Sequence, residues 1–296
     1  MNLCSVKFVK ELLSRYSTGT KKSFGQNFLI NPSVPLEIAR ESFEYHQSVS
    51  EGQPTCALEI GPGIGALSNE LCGFYDKVVA VEIDRTLIPV LGETMAEHDN
   101  FSVVNEDFLK LDLDEFLTSQ FGDARVSVCA NLPYYITTPI IMKLLEGAGG
   151  RLTSITVMVQ REVAQRLVAT CKDSEYGAIT ASVNYYGRVK RLFDVSPANF
   201  LPSPSVTSTV IRIELYEENP YFVKDKKTLF DVISGAFAQR RKTLLNSLSA
   251  SLSWISKEKI GQIIERCGFD IGIRGERLSV KDFCTLANEI YEEKSK

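Results

Sequence analysis

The sequence predicts an α/β protein, a mostly parallel sheet with helices on both faces, followed by a small all-helical domain. Three observations carry this. Short β-branched runs recur up to residue 216, with helix-spaced apolar residues between them. Some runs, such as Val78-Val79-Ala80-Val81, are apolar without interruption, which suits strands buried on both faces. Beyond Asn219-Pro220 no strand-like run remains. Strand alternating with helix implies βαβ units, whose right-handed crossovers cover both faces of a sheet.

In chain order, residues 1–22 read as a basic extension, a helix followed by a basic linker. Residues 23–219 form the α/β domain. Its strands are expected at 55–60, 77–83, 101–105, 125–131, 152–160 and 207–216. Leu87, Val90 and Leu91 recur at helical spacing, as do Ile140, Ile141, Leu144 and Leu145. Residues 220–296 form the helical domain, with helices at 226–238, 241–252, 257–267 and 279–293. Gly268, Gly272 and Gly275 read as helix stops and a loop.

Composition excludes several classes. The chain has 296 residues, 44% hydrophobic and 24% charged, which rules out wholesale disorder. No run of ~18 apolar residues occurs, and the N-terminus has charges where a signal peptide needs an apolar core, so neither membrane nor export is expected. Seven cysteines, an odd number without a C-x-x-C pair, read as reduced thiols of a cytoplasmic protein. The two histidines, His46 and His98, lack partners at ligand spacing, so no metal site and no Ser-His-Asp triad is expected. A monomer is the default expectation.

The net charge of −4 is unevenly spread. Residues 1–30 carry +4, residues 31–130 carry −13 and the remainder +5. Local basic stripes, not the total, decide contact with a polyanion. Arg188, Lys190 and Arg191 form one such stripe, and Arg240, Arg241 and Lys242 another.

The chemistry-bearing residues fall on strand tips. Gly61-Pro62-Gly63-Ile64-Gly65 follows the first predicted sheet strand and opens a helix. Its glycines permit positive φ and close approach of a ligand. Gly61, Gly63 and Ala66 also satisfy a loose dinucleotide fingerprint, so a nicotinamide-binding dehydrogenase is an alternative. Glu82 ends the next strand, twenty-one residues after Gly61, where an acid can accept both hydroxyls of a ribose. Asp107, after the third, can accept the exocyclic amine of an adenine. The fourth runs into Asn131-Leu132-Pro133-Tyr134. An Asn oxygen and a backbone carbonyl can orient an aromatic amine, Pro133 fixes the local backbone, and Tyr134 offers a face for an extruded base.

In this tetrapeptide the sequence resembles the class I S-adenosylmethionine-dependent methyltransferases of Rossmann-like fold that act on exocyclic amines. The Asn-Leu-Pro-Tyr version resembles the ribosomal RNA adenine dimethylase family. Phe24-Gly25-Gln26-Asn27-Phe28-Leu29 matches that family's N-terminal signature, which implies that Asn27 and Leu29 hold the methionine end of the cofactor. Phe200-Leu201-Pro202-Ser203-Pro204-Ser205-Val206 matches its Phe-x-Pro-x-Pro-Lys-Val loop, which implies that Phe200 faces the target base opposite Tyr134. Ser205 stands where the family has Lys. Residues 236–248 match the basic helix of the family's C-terminal domain. The resemblance runs from about residue 19 to about 291 and favours the bacterial small-subunit (16S), kasugamycin-resistance branch. It implies dimethylation of N6 on two adjacent adenosines near the 3′ end of that RNA, within the pre-30S particle. The large-subunit, macrolide-resistance relatives and a non-catalytic RNA-binding assembly factor are the alternatives. Residues 1–18 are not explained by it.

Overall fold

The computed structural model describes residues 2–16, 26–148 and 150–294. The expected basic linker, with Lys21 and Lys22, and the Phe24-Gly25 start of the signature lie outside the described residues. The chain divides into two units. One holds the chain up to Ala164 together with Val189–Glu217, and the other holds Gln165–Arg188 together with the chain from Glu218.

The first unit begins with α1 (Val6–Arg15), β1 (Phe28–Leu29) and α2 (Ser33–Val49). Then come β2 (Cys56–Ile60), α3 (Ala66–Phe74), β3 (Lys77–Glu82), α4 (Ile88–Thr94), β4 (Phe101–Asn105) and α5 (Leu113–Phe121). β5 (Val126–Asn131), α6 (Thr137–Gly147) and β6 (Leu152–Gln160) complete the parallel part. After α7 (Arg161–Val168) and α8 (Ala178–Tyr186), the chain returns as β7 (Gly187–Val195), β8 (Phe200–Leu201) and β9 (Ser208–Leu215).

Seven strands lie in the order β4-β3-β2-β5-β6-β9-β7. The pairs from β4 through β6 are parallel, and β9 runs antiparallel to β6. From β2 the chain first steps outward to β3 and β4, then crosses back to β5 on β2's other side. Such a reversal opens a crevice at the carboxyl ends of the strands. Every residue of β2 is buried, as is β6 up to its last residue, which is why these runs lack polar alternation.

All six expected strands are present. β7 is one the sequence reading did not foresee. It is an edge strand whose Arg188, Lys190 and Arg191 are exposed, and charge on an edge hides a strand's apolar signature while blocking further pairing. The two-residue pair β1–β8, with Leu29 opposite Phe200, is too short to read from a pattern.

In the second unit, α9 (Lys226–Ala238), α10 (Leu244–Ser251), α11 (Lys257–Arg266) and α12 (Val280–Lys294) lie where helices were expected. α10 starts three residues later than predicted. Thr243 caps it, its hydroxyl accepting from the Asn246 amide at 3.4 Å. Arg240, Arg241 and Lys242 therefore sit in a turn, closed by Lys242 N donating to Gln239 O at 2.8 Å, and not in a helix. Tyr176, Ala181 and Tyr185 are buried in one cluster with Leu229, Val232, Phe283 and Ile290. Residues 165–188 thus share their core with helices that begin about forty residues further along the chain.

Among the described residues no helix is long and apolar enough to cross a membrane. All seven cysteines are free thiols.

Candidate active site

Gly61, Gly63 and Gly65 all have positive φ, at 69°, 61° and 91°, which lets the chain turn from β2 into α3 within five residues. Two of them do different work. A Cβ at Gly61 meets nothing within 4 Å, so its backbone borders open space. A Cβ at Gly65 lies 2.9 Å from Met95 Sδ and 3.2 Å from Thr94 Oγ1, so that position is closed by α4 behind it.

Beside this loop lies a cavity lined by the tips of β2, β3, β4 and β5 and by residues 26–29. Asn27, Leu29, Gly61, Gly63, Glu82, Asp107 and the tetrapeptide Asn131 to Tyr134 all border it. Two sequence-derived candidates do not. Gly65 is absent from the lining, because it serves as the left-handed residue before α3. Phe200 is 3% exposed and packs among Leu29, Val34, Ile38 and Met158, since its pairing with Leu29 turns the ring into the apolar core. In this structure it is a buried core residue outside the cavity lining.

Glu82 is 4% exposed. Its carboxylate accepts from Gly63 N at 3.2 Å and Asp84 N at 2.8 Å, one bond to each oxygen. A carboxylate has about four acceptor positions, so acceptor capacity remains for a ligand's hydroxyl. Burial raises its pKa, and the backbone donors of Asp84, Gly63 and Ile83 oppose that shift. Asp107 accepts from Leu109 N at 3.0 Å and lies 3.6 Å from Lys110. The neighbouring turn is held by Lys143, whose ammonium donates to Leu109 O and Leu111 O. Ile83 and Leu109, 47% and 37% exposed, add apolar surface at this end of the cavity.

Asn131 Nδ2 donates to the backbone carbonyl of Asn27 at 3.2 Å, which fixes the amide and turns its oxygen away from that bond. The carbonyl of Pro133 accepts from Ile136 N and Thr137 Oγ1, both at 3.2 Å. That engagement leaves Leu132 as the better-placed carbonyl acceptor of the tetrapeptide. The Tyr134 hydroxyl is tied to Ser208 Oγ at 2.7 Å, so its ring is anchored from its far end.

Glu59 borders the same cavity and was not singled out in the sequence. It is 1% exposed, accepts from Ser68 Oγ at 2.5 Å, and burial pushes its pKa up to about 8. The available signal was a lone charge inside the apolar strand Cys56–Ile60. Carboxyls among the apolar walls suit an adenosine-bearing ligand with hydroxyl and amine donors. Among the described residues no group of three or more His, Cys, Asp or Glu is placed to hold a metal ion.

None of the expected RNA-binding residues lines this cavity. Lys190 pairs with Glu214 at 2.9 Å and Arg191 with Asp194 at 2.7 Å. The Arg191 bond, with Arg161 and Thr209, holds the Asp194 carboxyl well below the usual range. Arg188 is exposed. Arg240 reaches Glu276 at 3.8 Å and donates to Ser174 O, whereas Arg241 and Lys242 are exposed and carry no ion pair among the described residues.

The chain is 41% identical over 288 residues to the ribosomal RNA small subunit methyltransferase A of Alkaliphilus oremlandii (strain OhILAs), covering 97% of this chain and 98% of the relative. It is 43% identical over 288 residues to the protein of that name from Lachnoclostridium phytofermentans (strain ATCC 700394 / DSM 18823 / ISDg), covering 97% and 96%. The fold matches a dimethyladenosine transferase from Plasmodium falciparum with a TM-score of 0.75, at 23% identity, over 90% of this chain and 98% of the other. It also matches the 23S rRNA methyltransferase ErmE with a TM-score of 0.65, at 22% identity, over 90% and 100%. Those two likenesses establish a shared Rossmann-like methyltransferase fold. The family model for ribosomal RNA adenine dimethylase matches residues 18–292, and with the glycine loop, Glu82 and Asn131 gathered on one cavity, the chain belongs to that family.

Proposed function

We propose that this chain transfers methyl groups from S-adenosylmethionine to N6 of two adjacent adenosines in the 3′-terminal hairpin of 16S ribosomal RNA, giving N6,N6-dimethyladenosine. The observation that carries the reading is Asn131 at the tip of β5, held by Asn27 O and flanked by the anchored ring of Tyr134. S-adenosylmethionine supplies a methyl group on a sulfonium, an electrophile that needs only an aligned nucleophile. Glu82 would hold its ribose, Asp107 its adenine, and Asn27 with Leu29 its methionine end.

The chain's own residues then deal with a poor nucleophile. The lone pair of adenine N6 is delocalised into the ring. In the first transfer Asn131 Oδ1 and the Leu132 carbonyl accept its two hydrogens, and in the second one of them accepts the single hydrogen that remains, which favours a tetrahedral nitrogen with its lone pair directed at the methyl group. This is preorganised electrostatics with positioning, and each component is worth orders of magnitude in rate. No strong base is required, because the nitrogen becomes acidic once it is alkylated and loses its proton to solvent. Tyr134 receives the base on one face after it leaves its stack, which costs a few kcal/mol. Exposed Arg241 and Lys242, with Arg240, Arg188, Lys190 and Arg191, dock the RNA backbone. The chain acts as a monomer on the pre-30S particle in the cytoplasm.

Asn131→Ala tests the assignment. Methylation should fall by about 10²-fold or more while the Kd for S-adenosylmethionine stays within a few-fold. Wild-type turnover in that variant would remove Asn131 from the chemistry.

A further inference from the structure

We infer that α1, outside the stretch the family model matches, is a positioning element that sets the enzyme's affinity for its methyl donor. This rests on the S-adenosylmethionine reading above. The amphipathic helix buries Val9, Leu12 and Leu13 in one cluster with Phe28, Ile64, Leu87 and Val90. Phe28, Ile64 and Leu87 are themselves walls of the cavity. Just before the helix, Leu3 and Cys4 pack on Ala66, the first residue of α3 and another wall residue. One face of α1 thus backs the cavity wall from outside while touching none of its interior.

The contact is built to a fixed register. At the C-terminal end of α1, Arg15 Nη1 and the Tyr16 hydroxyl donate to the two carboxylate oxygens of Glu93 on α4, at 2.5 and 2.7 Å. α4 also supplies Val90 to the cluster. Its last residue, Thr94, and the following Met95 close the back of Gly65. Within the same cluster, the Phe28 ring lies 3.3 Å from where a Cβ of Gly63 would stand. Displacing α1 therefore frees Phe28 against the glycine loop and loosens α4 behind it. Both shifts act where the cofactor binds. At the tetrapeptide tip Tyr134 keeps its own anchor at Ser208, and Asn131 meets this network only through the Asn27 carbonyl, one residue before Phe28.

The test is a KM-against-kcat split in the full chain, with S-adenosylmethionine as the probe. Leu12→Ala should raise Kd and KM for S-adenosylmethionine about tenfold, as small displacements of positioning walls do, while kcat at saturating cofactor stays within about twofold. The double variant Arg15→Ala/Tyr16→Phe, which removes the Glu93 clamp and leaves the apolar core intact, should move the same constants in the same direction. It serves should Leu12→Ala fail to fold. Unchanged Kd and KM in folded variants, with only a lower melting temperature, would reduce α1 to a stabilising appendage and overturn the inference. Failure of the wild-type chain to bind S-adenosylmethionine would instead overturn the reading on which it rests.

Discussion

Asn131 and Glu82 end different strands and answer to different parts of the reaction. In the proposed reaction Asn131 would act on the amine, and Glu82 on the ribose of the donor. Glu82→Ala removes a charged acceptor that is already buried and half engaged by Gly63 and Asp84. The Kd for S-adenosylmethionine should rise by one to two orders of magnitude, since hydrogen bonds to a charged group contribute about 1.5–3 kcal/mol. Calorimetric titration checks this, and an unchanged Kd would refute the ribose contact. At this scale much was legible. The spacing from Gly61 to Glu82 and the Asn-Leu-Pro-Tyr tetrapeptide mark residues that the structure gathers on one cavity. Phe200 was not legible as a core residue, because its burial follows from a two-residue strand pair with Leu29. Glu59 was missed because a buried acid in a strand shows only as one charge in an apolar run.

At the scale of elements, α2 contributes a pH-dependent contact beneath the sheet. His46 on α2 is fully buried, with Nδ1 3.0 Å from Thr153 Oγ1 and its Nε2 without a hydrogen-bond partner. Tyr75 meets its ring edge-on at 5.7 Å. Burial, with a smaller push from Arg125, lowers its pKa from 6.5 to about 4. The unfolded chain therefore takes up a proton that the folded chain refuses. Stability contributed by neutral His46 is present above about 6.5 and is lost as pH falls toward about 4. The melting temperature should drop across that window. In His46→Phe the drop should shrink, with Thr153 still satisfied by Val126 O at 3.3 Å. Identical pH profiles for the two proteins would contradict the assignment. The strands of the parallel core were readable because burial on both faces leaves continuous apolar runs. β7 was not, because an edge strand spends its positions on Arg and Lys.

For the whole molecule, the sequence showed where strand texture gives way to helices, and it hid which distant segments share a core. Tyr176 and Tyr185 join the helical unit through contacts with residues such as Leu229 and Phe283, and no local pattern reports such partners. The same limit applies to charge. The sequence treats Lys190, Arg191, Arg241 and Lys242 alike, yet the first two are committed to Glu214 and Asp194. Arg241→Ala/Lys242→Ala should accordingly weaken RNA binding and flatten its dependence on log[salt] by about one to two units, the release of one counterion per lost phosphate contact. Lys190→Ala should change that slope less. Binding titrations across a salt series check both, and equal slopes for wild type and the Arg241/Lys242 variant would remove that turn from the interface.

The central claim is methylation of adenine N6 in small-subunit RNA. Its most direct test incubates the protein with labelled S-adenosylmethionine and small subunits from cells that lack the modification, followed by mass spectrometry of the nucleosides. The account predicts N6,N6-dimethyladenosine in 16S RNA. Label in large-subunit RNA alone, or no label on either subunit from a protein that still binds S-adenosylmethionine, would contradict it.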